Sequence, residues 1–380
     1  MKEIYIFYTK IKQKISFGNR ELSEIFVTEG IRSFGKGMLN IFIPLYLINL
    51  GYSLKVIVLM YLLESIFHIL FVIPATKISC KLGFKKMNFI STFAYMAFVY
   101  LLIMLPSFRT PLFVLALLKQ ISDVFYAIWY HTQATRSTNE GKRGIQLGVK
   151  DLISGIVGLP APLIGGLILA FMGIKVLGIV VLIVFALSTL PLYFSYENKI
   201  RDDLSVKEVF VSKKLRHAIV FMVHGIDNML NDFVWPVFIF LNITNKYEVL
   251  GVASFLGNIF SLAMNVIIGK LVDINKKLML SLGGIIEAIL WIIKSFTKSI
   301  YGLFVLNSAS GISNTMISLS FGARSYDIAN ETGDGLPFII FREIMIHSGR
   351  LILYTGLYLL ANWIYAIWAG AGLYLLYTLF

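Results

Sequence analysis

Apolar runs of about twenty residues follow one another from residue 25 to the end of this 380-residue chain, separated by short polar stretches. A helix of that length crosses a hydrocarbon layer about 30 Å thick. Twelve spans are predicted, at 25–49, 54–76, 86–106, 110–132, 145–171 and 174–195, then 216–242, 248–271, 278–297, 300–323, 336–360 and 362–379. The strands of a membrane barrel would alternate apolar and polar positions, whereas Ile179–Phe185 reads IVVLIVF without interruption. Helices satisfy their own backbone polar groups in lipid, so the predicted fold class is an all-α membrane protein.

Polar residues inside these spans fall on stripes. A charge at the bilayer centre costs about 2.5–3.5 kcal/mol on insertion scales, so each should face a partner or a water-filled path. In span 1, Glu29, Arg32, Lys36 and Asn40 share one helical face. Span 2 carries Glu64 and His68, span 4 carries Lys119, Asp123, Tyr126 and Tyr130, and span 5 opens on Lys150 and Asp151. In the second half span 7 holds His224, Asp227, Asn231 and Trp235 with Asp232 beside them, and span 8 holds Asn258. Span 10 adds Asn314, and span 11 adds Arg342, Glu343, His347 and Arg350. Pairs such as Glu29 with Arg32, or Glu343 with His347 or Arg350, would serve equally to fix helix packing. Spans 3, 6, 9 and 12 are almost free of charge. The exception is span 9, where Glu287 and Lys294 lie seven residues apart; Lys294 is expected to snorkel outward, and Glu287 has no evident role.

Composition changes the picture little: 57% hydrophobic and 14% charged residues exceed what one soluble core could bury. The net charge of +13 does change it, because the basic residues crowd alternate loops. Five lie before span 1 and six around the central loop, while the loops at Lys55, Arg109 and Lys175 hold one each. This is a topology signal rather than a nucleic-acid surface, and it predicts cytoplasmic termini in the cell membrane. The segment before span 1 is basic and lacks a signal peptide's apolar stretch, so span 1 is expected to direct its own insertion. The single cysteine, Cys80, rules out an intramolecular disulfide. No Walker loop, dinucleotide fingerprint or HExxH is present, so neither an enzyme nor a cofactor is expected, and no His pair shows metal-ligand spacing with a third ligand.

The most hydrophilic stretch, Tyr196–Arg216, follows six spans and divides the chain into 1–195, a linker at 196–215, and 216–380. The halves read as copies. Pro44 and Pro236 are 192 apart, Thr76 and Gly269 193, Cys80 and Asp273 193, Lys85 and Lys277 192, and Lys150-Asp151 and Arg342-Glu343 192. Six spans per half make the copies parallel, related by an axis along the membrane normal.

These features resemble the major facilitator superfamily over nearly the whole chain. Thr76-Lys-Ile-Ser-Cys80-Lys81-Leu-Gly83-Phe-Lys85-Lys86 is similar to that family's Gly-x-x-x-Asp-Arg/Lys-x-Gly-Arg loop, with Thr76 and Cys80 replacing the Gly and the Asp. Gly269-Lys-Leu-Val-Asp273-Ile-Asn-Lys276-Lys277 keeps both. Pro162-Leu-Ile-Gly165-Gly166 in span 5 resembles the end of the family's antiporter motif. The resemblance implies two six-helix bundles, gating by Lys81, Gly83, Lys85, Gly269, Asp273 and Lys277 at the loops, and a hinge at Pro162, Gly165 and Gly166. It further implies proton-coupled export of a small amphipathic or organic solute by a monomer in the lipid bilayer. Asp123 and Asp227 are the expected proton carriers, since a carboxylate out of water holds a proton more readily. Import of a polar or anionic solute, and a sensor or scaffold without turnover, remain open alternatives.

Overall fold

In the computed structural model the described residues are 20–137, 154–193, 209–210, 215–332, 335–360 and 363–379, and among them all regular structure is helical. The first half comprises α1 (Arg20–Leu39, continued by Asn40–Phe42 and Ile43–Asn49), α2 (Leu54–Leu82), α3 (Phe84–Ile103), α4 (Leu112–Ser137), α5 (Ala161–Phe171) and α6 (Gly173–Leu187). The second comprises α7 (Leu215–Met229, continued by Leu230–Val234 and Trp235–Asn242), α8 (Tyr247–Ile274), α9 (Lys276–Phe296), α10 (Ile300–Thr332), α11 (Gly335–Leu360) and α12 (Trp363–Tyr374, continued by Leu375–Leu379). α2, α3, α4, α8 and α9, and α5 when taken together with the helical residues before it, over Ser154–Phe171, are each long and apolar enough to cross a membrane unaided. α6 and α12 contribute shorter apolar stretches, and α1, α7, α10 and α11 are diluted by their polar stripes.

Packing repeats with a shift of six helices. α2 packs on α4 as α8 does on α10, α3 on α4 as α9 on α10, and α1 on α5 as α7 on α11. The halves meet through α5 against α8 and α2 against α11, again one contact and its copy. The fold is therefore two parallel six-helix bundles, with outward faces that display Leu70, Phe93, Ile183, Ile289 and Val305 to lipid.

The repeat reaches into backbone detail. Pro44 has no N–H for the Asn40 carbonyl, and the chain tightens to a 3-10 turn over Asn40–Phe42, in which the Ile43 N–H serves that carbonyl. Pro236, 192 residues on, has no N–H for the Asp232 carbonyl, and there the chain loosens to a π turn over Leu230–Val234, in which the Trp235 N–H reaches the Leu230 carbonyl. α1 and α7 are thus interrupted at equivalent positions, by a tighter turn in one and a looser turn in the other.

Close approach of helices depends on glycine. A Cβ at Gly165 would lie 2.1 Å from the Met38 carbonyl oxygen of α1, and one at Gly166 2.8 Å from that of Tyr247 in α8. Gly225 and Gly349 stand in the same relation to Ile346 and Met222, bringing α7 against α11.

Candidate functional site

Two mid-span ion pairs lie inside the first bundle. Lys36 of α1 donates to Asp123 of α4 at 2.7 Å, and Lys119 of α4 to Glu64 of α2 at 2.6 Å. They differ in accessibility: the side chains of Lys36 and Asp123 are each 26% exposed, those of Lys119 and Glu64 only 11% and 7%. Arg32 is buried and turned to α3, where its guanidinium donates to Thr92 at 2.7 Å, Ser91 at 2.8 Å and Asn88 at 3.4 Å and covers the Tyr126 ring at 4.1 Å. Asn40 accepts from Tyr95 at 2.8 Å. Neutral hydroxyls and amides of α3 thus anchor the stripe of α1.

At the α2–α11 junction the His68 and His347 rings stack at 3.5 Å and 7°. His68 Nδ1 lies 2.9 Å from Gln120 Oε1, and its Nε2 faces Glu343 Oε2 at 3.6 Å. Glu343 accepts from Arg342 at 2.9 Å, and Arg342 also donates to His131 of α4 at 2.5 Å. Ligating atoms of His68, Glu343 and His347 all lie within 4.8 Å of one another, a cluster that sequence spacing does not reveal. A metal ion binds in the plane of an imidazole, however, and these two planes run parallel, so no one ion lies in both in this arrangement. The group links the halves as a stack and an ion-pair chain.

A separate polar network fills the second bundle. Asp227 of α7 accepts from Tyr374 at 2.5 Å, Tyr377 at 3.0 Å and Asn231 at 2.9 Å, so it turns towards α12 rather than the junction. His224 stacks on Phe321 at 3.8 Å and lies 3.2 Å from the Tyr377 hydroxyl. Tyr374 accepts from Trp291 of α9 at 3.1 Å. Beside it Lys294 donates to Glu287 at 2.9 Å, while Ser310 and Ser313 of α10 donate to the same carboxylate. Lys294 also covers the Trp291 ring at 4.3 Å, and Trp235 donates to Asn307 at 2.7 Å.

Several expectations need correction. Lys294 does not snorkel; it is fully buried, because a carboxylate two turns away and two indole faces replace water more cheaply than a stretched side chain reaching for an interface. Glu287 thereby gains a role as the acceptor at the centre of the α9–α10 contact. Glu343 pairs with Arg342 rather than with His347 or Arg350, and among the described residues Arg350 hydrogen-bonds only to the His347 Nε2, at 3.3 Å.

Elsewhere the sites scatter. Tyr126 and Tyr130 stack on each other along α4 at 6.0 Å, Asn314 is half-buried, and Asn258 is exposed. Lys150 and Asp151 lie outside the described residues. At the α2–α3 turn Gly83 takes φ +99°, which only glycine adopts without strain, and Lys81 is exposed. Lys85 is partly buried. In the second copy Gly269 has open space around it, and Asp273 and Lys277 are exposed. There Lys276 makes the ion pair, with Asp327 of α10 at 2.6 Å. His131, Gln120, Tyr95 and Tyr374 escaped the sequence reading, because neutral groups barely lower the hydropathy of a span. For His131 the one signal is its place eight residues after Asp123, continuing the α4 stripe.

Comparison with known proteins bears on this arrangement. Residues 25–217 match the Major Facilitator Superfamily. No curated protein matches the chain. Among solved structures, a bacterial homologue of the iron transporter ferroportin in an outward-facing state is similar at 15% identity and TM-score 0.70, over 94% of this chain and 97% of that one. A POT family transporter in complex with 5-aminolevulinic acid is similar at 12% identity and TM-score 0.75, over 97% of this chain and 96% of that one. At these identities the likeness establishes a shared fold.

Proposed function

The chain belongs to the Major Facilitator Superfamily and is a membrane transporter of that type; from this premise we propose proton-coupled export of a small organic solute by rocking of the two bundles. The carrying observation is the accessibility of the Lys36–Asp123 pair. Of the lysine–carboxylate pairs within the spans among the described residues, it alone has both members a quarter exposed, whereas Lys294–Glu287 is sealed and Lys119–Glu64 nearly so. A proton arriving from one side can reach Asp123, neutralise it and release Lys36, which changes the attraction between α1 and α4. Asp227, turned into the second bundle under two tyrosine hydroxyls, is better placed to hold α7 against α12. The gradient supplies the drive, about 2.3 kcal/mol for each charge crossing 100 mV. Export is the direction implied by the likeness of Pro162, Gly165 and Gly166 to the antiporter motif, and these residues pack α5 against both α1 and α8, the contact a rocking motion would use.

Proteoliposomes with an internal pH dye provide the test. Adding a transported solute should collapse an imposed pH gradient with wild-type protein and leave it intact with Asp123→Asn. Solute flux that ignores the gradient would remove the coupling, and an Asp123→Asn variant that still couples would remove the residue assignment.

A further inference from the structure

Among the charges of the inner helices, Asp232 and Arg350 stand apart. Asp232 sits in the π turn of α7, ten residues before Asn242, and Arg350 ten residues before Leu360 at the end of α11. α7 and α11 run in the same direction, so both residues lie about 15 Å from the same end of the bundle. Neither forms an ion pair among the described residues. The charges acting on Asp232 are Arg350 and, from the other bundle, Lys119. Asp232 is nevertheless exposed, so it lines a water-reachable gap between the bundles rather than a sealed contact. Among the described residues Arg350 has the nitrogen of His347 as its one hydrogen-bond partner, and its Nε is buried with none. Glu64, the other carboxylate within its influence, is already held by Lys119. Two opposite charges at mid-membrane depth thus face one another across a gap and leave each other unsatisfied, an expensive arrangement unless something fills it.

Aromatic rings stand beside both charges. Phe233 follows Asp232, and Tyr354 lies one turn beyond Arg350; both pack on Tyr61 of α2, with centroids 4.5 Å and 5.6 Å away. The geometry points to a zwitterionic cargo, an amino-acid-like solute whose carboxylate pairs with the Arg350 guanidinium and whose ammonium pairs with the Asp232 carboxylate; Tyr61, Phe233 and Tyr354, buried against one another, form the rigid apolar wall that holds the two charges in place. A guanidinium presents two parallel donors to a carboxylate, and an ammonium paired with a carboxylate makes a charge-assisted hydrogen bond about twice as strong as a neutral one. The inference rests on the transporter reading only in taking the gap between the bundles as the route of the cargo.

Equilibrium binding to the purified full chain in detergent, by calorimetry and thermal shift, tests it without any gradient. The probes are L-phenylalanine with phenethylamine and 3-phenylpropionate, and 6-aminohexanoate with hexylamine and hexanoate, two charge separations each with its single-charge counterparts. At least one zwitterion should bind ten-fold or more tightly than both of its counterparts. Arg350→Gln should erase its advantage over the amine, and Asp232→Asn its advantage over the acid; Arg350→Lys, which keeps the charge, should retain part of it and guards against misfolding as the cause. Equal binding of a single-charge counterpart, or no binding of either zwitterion to the wild-type chain, overturns the proposal. The two readings fail separately: a bound zwitterion whose flux ignores pH leaves this inference standing and removes the coupling, and proton-coupled flux of a singly charged solute does the reverse.

Discussion

At the residue scale, what distinguishes the charges is whether water can reach them. Glu287 and Lys294 are sealed, and the pair persists because the carboxylate also accepts from Ser310 and Ser313 and the ammonium rests on Trp291. Glu287→Gln strands a buried ammonium and should lower stability by about 3–5 kcal/mol, whereas the double change Glu287→Leu with Lys294→Met should recover most of that loss. Thermal unfolding in detergent, followed by tryptophan fluorescence, separates the two. Lys36 and Asp123, each a quarter exposed, should show a much smaller stability loss on Lys36→Met and a larger loss of coupled flux. The charges in the apolar runs were legible from sequence, since a Lys among Leu and Val stands out. Their partners were not. Lys36 finds Asp123 87 positions away, and Arg32 finds three neutral side chains on a helix that hydropathy marks as featureless.

At the element scale, glycines and prolines set where helices touch and bend. A methyl group at Gly165 would press on the backbone of Met38, and backbone cannot move aside as a side chain can. Gly165→Ala should therefore destabilise by about 1–3 kcal/mol and spread α1 from α5, while Gly322→Ala, with nothing within 4 Å, should be neutral. Unfolding midpoints of the two variants side by side check this. The span limits read from hydropathy agree with the helices to within a few residues at most ends, because length and apolarity dictate what lipid tolerates. α2 and α10 run past their predicted ends, to Leu82 and Thr332, since a helix continues into water while its hydrogen bonds hold. The interruptions of α1 and α7 were foreshadowed by Pro44 and Pro236. Their opposite character, tighter in one and looser in the other, was not legible, because it depends on how each helix packs around its proline.

At the scale of the molecule, the bundles touch on both sides of the central charges. Towards the α1–α2 turn, the Asn49 amide donates to the Tyr247 hydroxyl; towards the α2–α3 turn, Arg342 meets His131. If the bundles rock, these contacts cannot persist throughout a cycle. Cysteines at Asn49 and Tyr247, in a Cys80→Ser background and joined by a short bifunctional thiol reagent, should stop solute flux in proteoliposomes, and reversal of the cross-link should restore it. Continued flux through the cross-linked protein would show that this contact need not open. The sequence by itself determined the spanning helices, their number, the duplication into parallel halves and the positions of the charged stripes, because each follows from local chain length, local apolarity or a constant offset. Only the tertiary structure decided which charges neutralise one another, which way Asp227 turns, that Lys294 stays inside, and that Asp232 and Arg350 are left facing without pairing. Those outcomes depend on distances between helices far apart in the chain, and the rotation of each helix about its axis is settled by packing against its neighbours.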